Sequence, residues 1–193
     1  MAEPPSNPTP PREVYLLFVC TGNTCRSPMA QAIALHLLME KPPQGIKVHV
    51  SSAGTNASHG AYESDENIVA LKSAGIKGLD DRRHRSQPLT PQLILRSTAV
   101  YVMTVSHAKH AQAMAQSLGP EHSKKVIVLD PEGHDVPDPV GRGPDVYRQT
   151  AEKLLQMIQK RLTEIILDHS GAALVSKSSP ASVTDPKSKE RKS

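Results

Sequence analysis

The sequence predicts an α/β protein, with a doubly wound sheet of four parallel strands and helices on both faces. Short apolar segments alternate along the chain with longer segments of helical periodicity, the order typical of successive βαβ units. Gly, Pro and capping residues mark the turns between them, so most segments have a recognisable start or end. Because such sheets bind ligands beyond the carboxyl ends of their strands, functional residues are expected in the loops that follow strands.

The first strand and the first helix are predicted over residues 14–20 and 28–39. Residues 14–20 form an apolar run rich in aromatic and β-branched side chains, which is typical of a buried parallel strand. Ser27 is a favoured N-cap residue and Pro28 is well tolerated at the first helical position, so the helix is expected to begin there. Beyond Pro28, apolar residues recur at helical spacing.

The rest of the chain continues this alternation. Apolar alternation or short apolar runs predict strands, and helical spacing bounded by caps, Gly or Pro predicts helices. The elements predicted after Pro42 and Pro43 are strand 46–52, a helix over 65–73 closed by Gly75, a short helix after Thr90-Pro91, strand 99–103, a helix capped by Ser106 and ending at Gly119, strand 126–129 and a long helix over 144–169. The loop 130–144 follows the last strand, so it is expected to reach the sheet edge where the first strand ends.

Length and composition indicate one folded domain with a tail at each end. The chain of 193 residues is long enough for one core, which we assign to residues 13–169. Residues 1–12 contain five prolines and little to bury, so they are predicted to be a disordered leader. Residues 170–193 are rich in Ser and Lys and carry +3 of the chain's net charge of +4. A disordered, solvated tail is favoured there over a segment that binds nucleic acid or an acidic partner.

The sequence also indicates the cellular compartment in which the protein is expected to act. No stretch approaches the ~18 apolar residues of a membrane span, and the N-terminus lacks the apolar core of a signal peptide. Cys20 and Cys25 lie in one loop, which excludes a disulfide framework, and chemistry that needs a thiolate suits a reducing cytosol. We therefore expect a cytoplasmic monomer that needs no cofactor or metal and binds neither nucleic acid nor a membrane.

The segment CTGNTCRSP, which begins at Cys20, carries the clearest functional signal. Gly22 permits a positive φ and Asn23 tolerates one, so the backbone N–H groups from Thr21 to Arg26 can turn inward as an anion nest. The positive end of the following helix and the guanidinium fork of Arg26 strengthen the nest. This field favours the thiolate of Cys20 over the thiol. A nucleophilic sulfur at the floor of a phosphate cradle predicts a phosphatase.

The spacing of Cys and Arg alone would not support this prediction, because C-x5-R occurs often by chance and a Cys that ends a strand is usually a small buried hydrophobe. The prediction depends on the consecutive order of strand, Gly-Asn, Arg-Ser-Pro and helix. A nucleotide-binding loop is excluded, since the sequence has no G-x-x-x-x-G-K-[ST] segment.

The same segment resembles the signature of the low-molecular-weight protein tyrosine phosphatase family, and Thr24 makes it most similar to the branch of protein-arginine phosphatases. The similarity runs from about residue 14 to about residue 169 and includes Ser52-Ala53-Gly54. The resemblance implies that Cys20 and Arg26 are catalytic. The residues expected to surround the bound phosphoryl group are Thr21, Gly22, Asn23, Thr24, Cys25 and Ser27.

The proton for the leaving group must come from another loop, and loop 130–144 offers Asp130, Asp135 and Asp138. Asp130 closes a strand and is predicted to be structural. Asp138 precedes a Pro, as in the acid loop of the family, so the resemblance implies that it serves as general acid. It would then be the general base that hydrolyses the phosphocysteine.

One departure from the family concerns the residue after this Asp-Pro pair, which is usually an aromatic wall of the substrate slot. Here it is Val140, so the resemblance leaves the shape of the slot open. Tyr147 matches a family tyrosine that more often holds this loop than binds substrate.

Three residues of the Cys20 loop have more than one interpretation. Ser27 can donate a hydrogen bond to the Cys20 sulfur, act as an N-cap, or do both. The side-chain amide of Asn23 is interpreted as a scaffold for the strained turn. Cys25 either fills space or captures an oxidised Cys20 in a protective disulfide.

The substrate class follows from the side chains available to contact it. A phenyl ring prefers apolar walls, whereas a guanidinium brings up to five donors and needs acceptors, which the Thr24 hydroxyl and Asp138 offer. Few aromatic residues remain to hold a ring, so phosphoarginine on proteins is the favoured substrate and phosphotyrosine the alternative. An arsenate reductase is disfavoured because no cysteine follows Cys25, and a non-catalytic phosphate-binding module because Cys20, Arg26, Ser27 and Asp138 are all retained.

Overall fold

The structure is a computed structural model that describes residues 10–79 and 84–170. The strands in these residues are β1 (Arg12–Cys20), β2 (Ile46–Gly54), β3 (Ala99–Val102) and β4 (Val126–Val128). The helices are α1 (Arg26–Glu40), α2 (Asp65–Ser73), α3 (Pro91–Arg96), α4 (Val105–Gln116), α5 (Pro120–Ser123) and α6 (Pro144–His169). The predicted disordered leader and tail lie outside the described residues, except for positions 10–12 and 170. The first strand begins within the predicted leader, at Arg12.

The four strands are parallel and pair in the order β2-β1-β3-β4. The register aligns Cys20 with Gly54, the last residue of β2. It also aligns Val19 with Val102, the last residue of β3. The carboxyl ends of these strands therefore meet at one edge of the sheet, and the predicted doubly wound fold is confirmed.

Alternate residues of β1 enter two separate cores on the two faces of the sheet. Leu16 and Phe18 pack in the cluster that contains buried residues of α1, α2 and α6. Leu17 and Val19 pack with buried residues of α3 and α4. Because both faces are covered, β1 is almost continuously apolar, as expected for a central parallel strand.

Two predicted helix starts are wrong. Ser27 is the second residue of α1 and not its N-cap, which is Cys25, and the Ser27 hydroxyl hydrogen-bonds inside the Cys20 loop instead. Ser106 lies inside α4, whose N-cap is Thr104 with its hydroxyl accepting from the His107 N–H at 3.1 Å. Helix α1 thus starts without a side-chain cap, whereas α4 is capped by a threonine two residues before the predicted serine.

The other boundaries lie close to their predicted positions. Helices α2 and α6 have the predicted ends, and Gly75 after α2 has the positive φ of a helix terminator, +75°. The short helix α5 was not predicted, and β3 and β4 each end one residue earlier than expected. None of the helices described here is long and apolar enough to cross a membrane.

Candidate active site

Cys20 is the last residue of β1 and lies at the floor of the loop 21–25, called here the catalytic loop. Its side chain is buried, with 2% of the residue exposed. The end of β2 runs very close to this loop, since a Cβ on Gly54 would lie 2.4 Å from the Thr21 carbonyl oxygen. Gly54 is therefore needed for the strand ends to meet beneath the loop.

Asn23 holds the catalytic loop from inside. It has a φ of 55° and no exposed surface, whereas Gly22 lies outside the positive-φ region. Of Gly22 and Asn23, both predicted to permit a positive φ in this turn, it is Asn23 that adopts one. Its Nδ2 donates to Ser27 Oγ at 2.8 Å and to Ser52 Oγ at 2.9 Å, which satisfies the buried amide and fixes the strained backbone.

Two supports of Asn23 come from a distant segment that sequence reasoning missed. The Gln87 N–H donates to Asn23 Oδ1 at 2.9 Å, and His84 Nε2 donates to the Asn23 carbonyl at 2.8 Å. Burial lowers the pKa of His84, while its bond to the carbonyl acts in the opposite direction. Both residues lie more than 60 positions from Asn23 in the chain, so no local pattern points to them.

Ser27 stands directly against the nucleophile. Its Oγ lies 3.0 Å from Cys20 Sγ and 3.3 Å from the Ala53 carbonyl, while it accepts a hydrogen bond from Asn23. A thiolate can only accept, so with Cys20 ionised the Ser27 hydroxyl donates to the sulfur over the shorter of these two distances. The geometry therefore favours the first function predicted for Ser27, which is to donate a hydrogen bond to the Cys20 sulfur.

Arg26 links the catalytic loop to the loop 129–143, called here the acid loop. Its Nη2 lies 2.5 Å from Asp138 Oδ2, and its Nη1 donates to the Val136 carbonyl at 3.1 Å. The Arg26 side chain is 6% exposed and that of Asp138 is 48% exposed. The buried guanidinium is therefore held in place by these two contacts, while the carboxylate of Asp138 remains accessible to solvent.

The Nε atom of Arg26 is buried and has no hydrogen-bond partner among the described residues. Helix α1 begins beside it with no acidic residue in its first turn and no side chain capping its N–H groups. Unpaired donors at a helix start attract an anion. This end of the sheet can therefore bind a phosphoryl group above Cys20.

The other two aspartates of the acid loop have structural partners. Asp135 Oδ1 accepts from the Val105 N–H at 2.8 Å, at the start of α4. Asp130 Oδ1 accepts from the Glu132 N–H at 2.8 Å, which closes a turn. Asp138 is thus the one of the three aspartates that contacts Arg26, and its function as general acid stays a prediction.

Cys25 and Tyr147 meet on the side of the catalytic loop where α6 begins. Cys25 Sγ lies 3.4 Å from the Tyr147 hydroxyl and 3.6 Å from Ser64 Oγ. Burial and the hydrogen bond with Cys25 raise the pKa of Tyr147 to about 12. Both cysteines are free thiols here. These contacts support a packing function for Cys25, and its capture of an oxidised Cys20 stays a prediction.

No three His, Cys, Asp or Glu side chains in residues 10–79 and 84–170 are grouped so that they could hold a metal ion. The groups brought together at the sheet edge are a buried cysteine sulfur, a guanidinium, a helix start without a side-chain cap and an accessible carboxylate. These are the components of a phosphoryl transfer to sulfur.

The sequence of this chain is similar to those of known phosphatases, which agrees with the groups found at this site. Residues 15–170 match the model of a family described as low molecular weight phosphotyrosine protein phosphatase. A protein-arginine-phosphatase of Bacillus subtilis (strain 168) is 34% identical over 157 residues, which cover 79% of this chain and 97% of that protein. A low molecular weight protein-tyrosine-phosphatase of Staphylococcus haemolyticus is 30% identical over 151 residues, which cover 77% and 97%.

A solved structure shares the fold along nearly its whole length. It is a Cys-to-Ser mutant of YwlE arginine phosphatase with a phosphorylated active-site serine. It superimposes with a TM-score of 0.70 at 32% sequence identity and covers 81% of this chain and 99% of that one.

Proposed function

The chain belongs to the low molecular weight phosphotyrosine protein phosphatase family, and on that basis we propose that it hydrolyses phosphoarginine on proteins through a phosphocysteine at Cys20. That the protein is a cysteine-dependent protein phosphatase follows from the family and from the relatives at 34% and 30% identity. The proposal adds the residues that act and the phosphoresidue they prefer.

In the first step the Cys20 thiolate attacks phosphorus. The P–N bond of phosphoarginine breaks as the S–P bond forms, and the electron pair of that bond leaves with the guanidine nitrogen. Asp138, protonated, gives its proton to that nitrogen, so the unphosphorylated arginine side chain of the substrate protein departs. The Arg26 guanidinium and the catalytic-loop N–H groups balance the negative charge on the three phosphoryl oxygens.

In the second step water hydrolyses the phosphocysteine. Asp138, now a carboxylate, takes a proton from the water as its oxygen attacks phosphorus. The S–P bond breaks and Cys20 departs as a thiolate, which the Ser27 hydroxyl 3.0 Å away stabilises as a leaving group. Inorganic phosphate then leaves and the enzyme is back in its starting state, because the proton that Asp138 took from water is the one it gives to the leaving group in the next cycle.

Substrate binding has to displace part of the contact between Arg26 and Asp138. Nη2 and Asp138 Oδ2 lie 2.5 Å apart, whereas the mechanism needs Arg26 on the phosphoryl oxygens and Asp138 on the leaving nitrogen. Nε has no hydrogen-bond partner among the described residues, so it can donate to an anion without breaking another bond. Nη1 keeps its hydrogen bond to the Val136 carbonyl, which holds the guanidinium in its orientation while the contact with Asp138 is displaced.

The observation that carries the preference for phosphoarginine is the hydroxyl of Thr24. The Thr24 backbone is held by the Ser64 N–H at 3.0 Å and by Asn67 Nδ2 at 3.3 Å. Its Oγ1 makes only a long contact of 3.9 Å, to Cys25 Sγ, within the described residues. A fixed hydroxyl with a free acceptor position suits a guanidinium N–H better than the face of a phenyl ring.

The scarcity of aromatic walls supports the same preference. Tyr15, Phe18 and Tyr101 lie in strands β1 and β3, so they do not flank a substrate slot. Val140 follows the Asp-Pro pair and is 59% exposed, which leaves that side of the slot open. The arginine-phosphatase relative at 34% identity adds to this argument.

The test compares kcat/KM of the wild type and of Thr24→Ile on peptides that carry phosphoarginine or phosphotyrosine. Thr24→Ile removes the acceptor and adds methyl groups that suit a ring. Losing one hydrogen bond to a charged group costs ~1.5–3 kcal/mol, which lowers kcat/KM on phosphoarginine roughly ten- to a hundredfold. The added apolar contact contributes ~1 kcal/mol to phosphotyrosine, a few-fold gain. If the wild type prefers phosphotyrosine, or if Thr24→Ile leaves the ratio unchanged, phosphoarginine is the wrong substrate.

A further inference from the structure

The side chain of His107 bridges two hydroxyl groups that belong to different parts of the active site. It lies in the first turn of α4 and is 7% exposed. Its Nε2 is 2.9 Å from Thr21 Oγ1, in the catalytic loop next to the nucleophile. Its Nδ1 is 2.8 Å from Thr104 Oγ1, the N-cap of α4. The mechanism described above does not use this histidine.

The hydrogen bonds around Thr104 determine which ring nitrogen carries the proton. Thr104 Oγ1 accepts from the His107 backbone N–H at 3.1 Å, which leaves its own O–H to donate to Nδ1. A neutral ring that accepts at Nδ1 carries its hydrogen on Nε2, and this hydrogen points to Thr21 Oγ1. Burial, and then the positive charge of Arg26, lower the pKa of His107, in agreement with a neutral ring.

The same end of α4 also holds the acid loop. Asp135 Oδ1 accepts from the Val105 N–H at 2.8 Å, and the Val136 N–H donates to the Met103 carbonyl at 2.8 Å. These two bonds lie three and two residues before Asp138 in the chain. The catalytic loop and the acid loop are therefore both attached to the start of α4, the catalytic loop through His107 and the acid loop through Asp135.

We propose that His107 is a positioning residue: through the Thr21 hydroxyl it keeps the catalytic loop at the correct distance from the carboxylate of Asp138. The inference depends on the roles proposed above for Cys20 and Asp138, because it concerns their mutual alignment. A displacement of one loop by about an ångström is enough to lower the rate of an aligned proton transfer strongly. Binding of phosphate depends on the backbone N–H groups of the nest and on Arg26, whereas His107 contacts the side-chain hydroxyl of Thr21.

The test uses side chains that differ in which half of the bridge they keep. The amide nitrogen of Gln in His107→Gln can occupy the position of Nε2 and still donate to Thr21. The shorter amide of His107→Asn reaches Thr104 only. Thr21→Val deletes the same bond from the other side with little change of shape, and Thr21→Ser retains the hydroxyl. His110→Gln is the matched control, since His110 is exposed one turn further along α4.

Each variant is assayed for kcat on p-nitrophenyl phosphate, whose leaving group needs little protonation, and on phenyl phosphate, whose leaving group needs more. Inhibition by inorganic phosphate and the thermal midpoint Tm are measured as well. We expect His107→Asn and Thr21→Val to lower kcat on phenyl phosphate by about tenfold, with a smaller loss on the nitrophenyl ester and little change in phosphate inhibition. His107→Gln and His110→Gln should stay close to the wild type, and Thr21→Ser should recover most of the activity that Thr21→Val loses. The double variant Thr21→Val/His107→Asn should be no slower than the slower single variant.

The inference is overturned if His107→Asn and Thr21→Val keep the kcat of the wild type on phenyl phosphate. It is also overturned if both esters and phosphate binding decline together with Tm, because that pattern indicates a purely structural residue. If His107→Asn does not fold, Thr21→Val decides by the same criteria. Absence of turnover in the wild type and in His110→Gln would instead refute the phosphatase mechanism itself, and the alignment function with it.

Discussion

At the scale of single residues, the two cysteines of one short loop have different surroundings. Cys20 faces the Ser27 hydroxyl at the floor of the catalytic loop, and Cys25 faces the hydroxyls of Tyr147 and Ser64. Of the two, Cys20 lies at the carboxyl end of a strand. We infer that the nucleophile is Cys20 and not Cys25.

Replacing the nucleophile should separate catalysis from binding. We expect Cys20→Ser to have no measurable turnover, because a serine hydroxyl is not ionised beside the nest at neutral pH. Inorganic phosphate or vanadate should still bind, since Arg26 and the loop N–H groups remain. Steady-state kinetics and isothermal titration calorimetry measure the two properties. A Cys20→Ser enzyme with a substantial part of wild-type activity would assign the nucleophile to another residue.

The two carboxylates of the acid loop make a second comparison at this scale. Asp138→Asn cannot donate or take the proton, so kcat should decline roughly 10²–10⁴-fold, most for substrates with poor leaving groups. Asp135→Asn keeps an acceptor for the Val105 N–H, so its kcat should change by less than about tenfold. Measurement of kcat for both variants on one substrate tests this, and the reverse order would mean that Asp135 is the proton donor.

At the scale of elements, the segment that precedes α3 supports the catalytic loop through the hydrogen bond from His84 to the Asn23 carbonyl, and this support depends on pH. Burial lowers the pKa of His84 below that of an exposed histidine, about 6.5. The unfolded chain therefore takes up this proton more readily than the folded chain. The contribution of a neutral His84 to stability is complete above about pH 6.5 and is lost as the pH decreases through the lower, folded-state pKa.

Between pH 7 and pH 5.5 the wild type should accordingly lose stability that His84→Gln does not lose. The free energy of unfolding in urea at the two pH values measures this, with His110→Gln as the control for an exposed histidine. The pKa of His107 is also lowered, so His107 contributes a pH dependence of stability with the same sign. Because His107 is present in all three proteins, the difference in stability loss between the wild type and His84→Gln reports on His84. An equal loss in wild type and His84→Gln would show that His84 does not contribute to this dependence.

The order of the elements could be predicted from sequence because each pattern that determines it is local. The apolar run 14–20 and the helical spacing of residues 144–169 contain their own signal, and both elements are present. Helix starts were less predictable, since the Ser27 hydroxyl is engaged by Cys20 and Asn23, and Asp135 binds the first N–H of α4.

The candidate site shows the same limit. The short motif contains Cys20, Arg26 and Ser27, and resemblance to the family added Asp138. The supports from His84, Gln87 and His107 come from segments that meet the catalytic loop only after the sheet has formed. Nothing in the local sequence around these three residues distinguishes them from ordinary polar side chains.

At the scale of the whole molecule, the ends of the described chain lie together and away from the site. Arg12 Nη1 donates to the His169 carbonyl at 3.0 Å, which places the start of β1 beside the end of α6. Cys20 lies at the opposite end of β1. We propose that residues 13–169 form the catalytic domain and that the segments outside it do not take part in the chemistry.

Removal of residues 1–9 and 171–193 should therefore leave kcat/KM on p-nitrophenyl phosphate within about twofold of the full chain, which is below the effect of losing one ordinary hydrogen bond. Tm should also be unchanged, because the shortened chain keeps all the buried side chains of the two cores described here, which lie within residues 14–162. Parallel kinetics and calorimetry on both proteins measure these quantities. A large decline in kcat/KM at constant Tm would assign the terminal segments to the active site.

The central claim is that Cys20 receives the phosphoryl group of a protein phosphoarginine. Its most direct test is rapid acid quenching of the enzyme during turnover of a phosphoarginine protein, followed by mass spectrometry of the peptide that contains both cysteines. The account predicts one added phosphoryl group on Cys20, at a higher level in Asp138→Ala because hydrolysis of the intermediate lacks its base, and none in Cys20→Ser. Turnover of phosphoarginine without any phosphocysteine, or with the phosphoryl group on Cys25, would contradict it.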